Sequence, residues 1–152
     1  YTGAENNMDA DGPLSISMPF SAMLDPVTGT NLIIRRVKAA AADTTPPALL
    51  SSAPADGATD VDVNTAIALT FTEPVKAGTG NITVSDGVDD TRAVNVADAE
   101  FSGATVTVTP DAPLDAGTAY HVKVDSTAIL DASGNAFAGI ADDSTLAFTT
   151  RA

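Results

Sequence analysis

Leu114-Asp-Ala-Gly-Thr-Ala-Tyr120-His-Val-Lys-Val124 is the stretch that most narrows what this chain can fold into. Tyr120, Val122 and Val124 alternate with Ala119, His121 and Lys123, so an extended segment here has one apolar face and one wet face. The Asp115-Ala116-Gly117 turn delivers the chain into it. A Tyr at the start of such a strand, just after a Leu-x-x-Gly-Thr corner, is the pattern of a tyrosine corner in Greek-key sandwiches, where the phenol bonds to backbone a few residues upstream. The expectation is an all-β, two-sheet domain with Tyr120 inside it.

The same period of two recurs at short intervals set off by Gly, Pro, Asp and Asn. Strands are expected at residues 47–52, 65–72, 80–85, 92–97, 104–109, 117–124 and 144–150, about seven in all. Ile67, Leu69 and Phe71 share one face, as do Ile82 with Val84, Val94 with Val96, Val106 with Val108, and Leu146 with Phe148. At about 1.5–3 kcal/mol for each buried side chain, these positions are what offsets the entropy of ordering the chain. Thr105, Thr107, Thr109, Thr149 and Thr150 suit outer faces. Phe71, Phe101, Tyr120, Phe137 and Phe148 are expected to look inward.

Residues 1–42 read as a separate N-terminal segment and linker. Leu14, Ile16, Met18 and Phe20 alternate with Ser15, Ser17, Pro19 and Ser21, and Pro19 favours an edge strand. Asp25-Pro-Val-Thr-Gly29 supplies turn chemistry, and Asn31-Leu-Ile-Ile-Arg-Arg-Val37 a second β-branched run, together a β-hairpin. The paired prolines of Asp43-Thr-Thr-Pro-Pro47 mark the boundary. Ile16-Ser-Met18-Pro-Phe20 echoes Ile67-Ala-Leu69-Thr-Phe71. Two readings of the echo stand, the remnant of a preceding repeat and two independent amphipathic hairpins.

Composition excludes more than it identifies. The chain has 152 residues, enough for one ordinary domain with an appendage, and a formal charge of −13 that repels nucleic-acid phosphates and anionic lipid. Neither nucleic acid nor membrane insertion is expected. With no Cys there are no disulfides, thiolate metal sites or Cys nucleophiles. Trp is absent and aromatics make up 5%, which leaves few stacking platforms for sugars. No apolar run approaches the ~18 residues of a membrane span. Arg35, Arg36 and Lys38 are three of only seven Lys and Arg residues, gathered in one short stretch. Because the sequence starts at Tyr1, a piece of a longer protein is expected.

Several motifs occur in a fixed order: Asp43-Thr-Thr-Pro-Pro47, Ser52-Ala-Pro54-Ala-Asp56-Gly57-Ala-Thr-Asp60-Val61, Phe71-Thr-Glu73-Pro74-Val75, Thr109-Pro110 with Leu114-x-x-Gly117-Thr118-x-Tyr120, and Asp131-Ala-Ser-Gly134-Asn135. Over residues 43–152 this set resembles the bacterial Ig-like domain family typified by S-layer proteins, the SbsA-type Ig-like domains. The resemblance implies an Ig-like Greek-key β-sandwich used as a spacer or adhesion module in tandem arrays on bacterial surfaces and in large secreted proteins. It implies no catalytic residues.

If the strands run in Ig order, Asp43, Glu73, Asp125, Asp131 and Asn135 converge on one pole of the sandwich. Hard carboxylate and amide oxygens with no Lys close by would suit Ca2+, which takes six to eight oxygens. The competing reading is that Asp131 and Asn135 only cap the Gly134 turn and that the acids solvate a surface. Asn7-x-Asp9-x-Asp11-Gly12 opens like a calcium loop, but Met18 stands where the closing acid belongs. His121, the one His, is expected to be exposed on the outer face with no base-activated Ser beside it.

The functional expectation is therefore a non-enzymatic structural or adhesive module, located extracellularly or at the bacterial cell surface. Its partners would be neighbouring domains of the same long protein, other surface proteins or glycans. The alternative from another class is an accessory, glycan-binding domain of an extracellular carbohydrate-active enzyme, which requires a flat exposed aromatic patch. A hydrolase working with two acids would require two carboxylates lining one deep pocket.

Overall fold

The structure is a computed structural model describing residues 41–152. The N-terminal hairpin at residues 14–37, its repeat relationship and the Asn7–Gly12 loop lie outside the described residues.

The unit Ala41–Ala152 is built from eleven strands. They are β1 (Leu49–Ala53), β2 (Ala58–Val61), β3 (Ile67–Phe71), β4 (Val75–Ala77), β5 (Asn81–Ser85), β6 (Thr91–Asn95), β7 (Glu100–Ser102), β8 (Thr105–Val108), β9 (Ala119–Val124), β10 (Ile129–Asp131) and β11 (Ala147–Thr150). One sheet has the order β1-β3-β8-β7 and the other β2-β11-β9-β5-β6, with β10 and β4 forming a short separate ribbon. All pairings are antiparallel except that of β11 with β2.

The period of two explains the layers. Ile67, Leu69 and Phe71 of β3, with Val106 and Val108 of β8, meet Ile82 and Val84 of β5, Tyr120, Val122 and Val124 of β9, and Phe148 of β11 in one core. Phe137 closes one end, edge-on to Phe71 at 5.2 Å between ring centres. Tyr120 stacks on Phe148 at 6.0 Å, and its hydroxyl accepts the Asp115 N–H at 2.9 Å, completing the corner anticipated from the turn. The same hydroxyl donates to Oδ2 of Asp90, in the β5–β6 turn. Of the five aromatics expected inside, four are buried and Phe101 is half-buried against the core.

Eleven strands rather than about seven reflect four short ones, β2, β4, β7 and β10, of three or four residues each. Segments that short complete too little of an alternation to stand out in sequence. The strand expected over 92–97 stops at Asn95, whose Oδ1 accepts the Ala97 N–H at 2.9 Å and turns the chain into a 3-10 turn at Val96–Asp98. The strand expected from 144 begins at Ala147, because Asp142 captures the N–H groups of Ser144 and Thr145 at 2.9 and 2.8 Å. Thr150 is buried rather than outward. Its hydroxyl donates to Asp115 O at 2.6 Å and accepts the Thr118 N–H at 2.9 Å, locking β11 to the corner.

The chain enters and leaves this sandwich at opposite poles. Asn135 Nδ2 donates to Asp43 O at 3.0 Å, so the entrance lies by the β10 turn, near the end of β3. At the exit, Gly117 N–H donates to Arg151 O at 2.9 Å and Arg151 N–H to Val61 O at 2.9 Å, beside the start of β9. The Arg151 guanidinium also reaches Asp62. The six residues of β9 span the distance between the two.

Candidate metal centre

Three carboxylates converge at the entrance pole. The β3–β4 turn carries Glu73, β10 ends on Asp131, and Asp43 arrives with the incoming chain. One oxygen from each lies within 4.8 Å of the others. Asp131 is fully buried, Glu73 half-buried and Asp43 exposed. β10 pairs with β4 in the register Asp131↔Val75, which sets Asp131 two residues from Glu73 across the ribbon.

The electrostatics of the trio are uneven. Burial would raise the Asp131 carboxyl, but hydrogen bonds from the Asn135 side chain and backbone and from the Gly134 and Ser133 N–H groups hold it below the usual range. Asn135 donates its N–H to Asp131 Oδ1 and its Nδ2 to Oδ2, both at 2.7 Å. Glu73 moves the other way, raised by its own burial and then by the charges of Asp43 and Asp131. Its burial first, and the two neighbouring charges second, push Glu73 toward holding a proton.

Of the five residues expected at this pole, Asp43, Glu73 and Asp131 form the cluster, and Asn135 bonds the Asp131 carboxylate and the Asp43 backbone carbonyl. Asp125 stands outside the group: its Oδ2 accepts the Asn81 N–H at 2.8 Å and steers the chain into β5. Lys76 is close by, against the expectation, since β4 pairs with β10, but its ammonium donates to Ala132 O at 3.0 Å. The donor set suits a hard cation. The three carboxylates offer oxygens only, and Asn135, with its nitrogen engaged, keeps Oδ1 as a further acceptor.

Elsewhere, His121 is half-buried rather than exposed, with Nε2 at 3.1 Å from Asp143, which also takes Lys123 at 2.7 Å. His121 and Lys123 thus share one carboxylate. A groove of about 680 Å3 runs beside β6 and is lined by Asp89, Asp90, Arg92, Asp98 and Asp111 among others. Sequence reasoning passed over it because its acids come from three separate connections. The exposed large hydrophobic residues among the described ones are Leu50 and Val88, neither aromatic. No helix among the described residues is long and apolar enough to cross a membrane.

Residues 43–150 match the family model described as a bacterial Ig-like domain. No curated protein matches the chain. Two similar solved structures are those of the N-terminal part of the bacterial S-layer protein SbsC and of the S-layer protein rSbsC(31-844). Each is 26% identical over 70% of this chain, with a TM-score of 0.47. The chain covers 24% of the first and 14% of the second.

Proposed function

The chain belongs to the bacterial Ig-like domain family across residues 43–150, and from that premise we propose that it serves as a non-catalytic structural module of a multidomain bacterial surface or secreted protein. Its task is to hold neighbouring domains apart and carry tension between them. The observation that supports this most is the placement of entrance and exit at opposite poles, with β11 held between β9 and β2. Tension applied through the two ends therefore runs along the strands. The parallel β2–β11 bonds are loaded in shear, all at once, instead of being peeled one by one.

Single-molecule extension tests the role. The chain has no Cys, so handles can be attached at Cys residues introduced as Thr45→Cys and Ala152→Cys in the full chain, and compared with a Val88→Cys and Ala152→Cys pair. Val88 caps the β5–β6 turn at the exit pole, so the second pair peels β11 rather than shearing it. The expected result is a clearly higher unfolding force for the first pair. Equal forces would sink the load-bearing role.

The finer part of the proposal is a calcium ion held by Asp43, Glu73 and Asp131, with Asn135 fixing the carboxylate of Asp131 and Asp125 not contributing. The convergence of three carboxylates within 4.8 Å of one another supports it, since a cation relieves their repulsion where the incoming chain docks. An ion bound only to the folded state stabilises it by about 2.7 kcal/mol at a hundred times its Kd. Thermal melting of the full chain in millimolar calcium is expected to lie several degrees above that in chelator, and Glu73→Gln to remove most of the difference. Coincident midpoints would dismiss the ion and leave the mechanical role untouched.

A further inference from the structure

Both sheets end in edge strands, and three of the four are unfit to accept another strand. β1 carries a register shift between Leu49 and Ser51, β2 has Asp60 at φ 61° and a shift against β11, and β7 is three residues long. β6 differs. Its five residues pair with β5 in unbroken register, Thr91↔Ser85 through Asn95↔Asn81. Asp86 N–H donates to Asp90 O and Val96 N–H to Gly80 O, both at 3.0 Å. The alternation of an antiparallel ladder then turns the backbone groups of Arg92 and Val94 toward β5, and those of Thr91, Ala93 and Asn95 outward. No Pro or Lys guards this edge. Its one cation, Arg92, is taken up by Asp90 at 2.5 Å and Asp111 at 3.5 Å.

The groove alongside that edge carries Asp89, Asp90, Asp98 and Asp111 against Arg92. It asks for an extended, basic segment. One such run is in the chain itself: Asn31-Leu-Ile-Ile-Arg-Arg-Val-Lys38 is β-branched and holds three of the seven Lys and Arg residues. We propose that β6 is an acceptor edge onto which the Asn31–Lys38 run of a second copy of this chain adds as a strand, its basic side chains over Asp89, Asp98 and Asp111. Main-chain bonds at Thr91, Ala93 and Asn95 supply the adhesion, and the charges select the donor. Donor run and acceptor edge are different surfaces, so the contact is head-to-tail and propagates copy to copy instead of closing at a dimer. This goes beyond the tension-bearing role and does not depend on calcium.

Sedimentation of the full chain over a range of concentrations tests it, with hydrogen exchange read at the Ala93 amide. The expected result is a weight-average mass rising above 15.2 kDa with concentration, together with slowed exchange at Ala93. Raising salt from low to high should weaken the association about tenfold, because exposed charges are screened. Ala93→Pro removes an outward donor without touching the β5 ladder, and Arg35→Glu with Arg36→Glu leaves residues 41–152 unchanged; each should return the mass to that of a monomer. A monomer at every concentration overturns the proposal. A protected Ala93 amide in that monomer would assign the edge to an intramolecular strand instead. Association that survives both sets of substitutions overturns it as well.

Discussion

Tyr120→Ala lowers the unfolding free energy by about 3–5 kcal/mol, a large part of the ~5–15 kcal/mol that holds a domain of this size together. Tyr120 is 1% exposed, stacks on Phe148, and its hydroxyl joins the Asp115 turn to Asp90 of the β5–β6 turn. Tyr120→Phe separates ring from hydroxyl. It keeps the packing but leaves the Asp115 N–H and Asp90 without this partner, for a loss of about 1–3 kcal/mol. Urea denaturation distinguishes the two, and equal losses would mean that the hydroxyl carries the corner alone. Burial and then the Asp90 hydrogen bond push the Tyr120 phenol up to about 12 from 10.0. A folded value above the unfolded one contributes stability that is complete below pH 10 and is lost as pH climbs from about 10 through about 12. That alkaline step should be absent from the Phe variant.

Gly78→Ala is the second large effect, a loss of about 3 kcal/mol with little change in the slope against urea. The peptide at Gly78 lies against the 127–128 turn, with Gly78 N–H on Ala128 O and Thr79 N–H on Thr127 O, both at 2.8 Å. A Cβ there would stand 2.1 Å from Thr127 O, a backbone atom that cannot swing aside. Gly103→Ala is the control. Gly103 has φ +60° but open space around it, so its loss is confined to the backbone preference, about 1–2 kcal/mol. Matching losses at the two positions would show that the 127–128 turn yields to the intruding methyl group.

What sequence could disclose here is what repeats every two residues or sits in a tight local motif. β3, β5, β8 and β9 announce themselves because Ile67-Ala-Leu-Thr-Phe71 and its counterparts alternate long enough to choose a face. The corner is legible because Leu114, Gly117 and Tyr120 lie within seven residues of one another. Its second partner, Asp90, lies 30 residues away and belongs to a turn whose acids look interchangeable on paper. The entrance pole followed the same rule. Asp43, Glu73 and Asp131 were reachable from strand order, whereas the fate of Asp125 hung on one bond to Asn81 that no pattern encodes. His121 was placed on the correct face by alternation, but its cover comes from Gly87 and Asp143, loops whose path is tertiary. Thr149 and Thr150 cannot both face outward in one strand, and Thr150 turned in because Asp115 O and the Thr118 N–H receive its hydroxyl.

The strand that completes the five-stranded sheet is also the last to be made. β11 lies between β9 and β2, so before residue 150 clears the ribosome β2 has no neighbour in its sheet and one side of β9 stays open. Closing it joins segments almost ninety residues apart, a slow step by comparison with the hairpin of β5 and β6. Until residues 147–150 emerge the domain carries an uncovered adhesive flank, and that interval is when a foreign strand can take the place of β11.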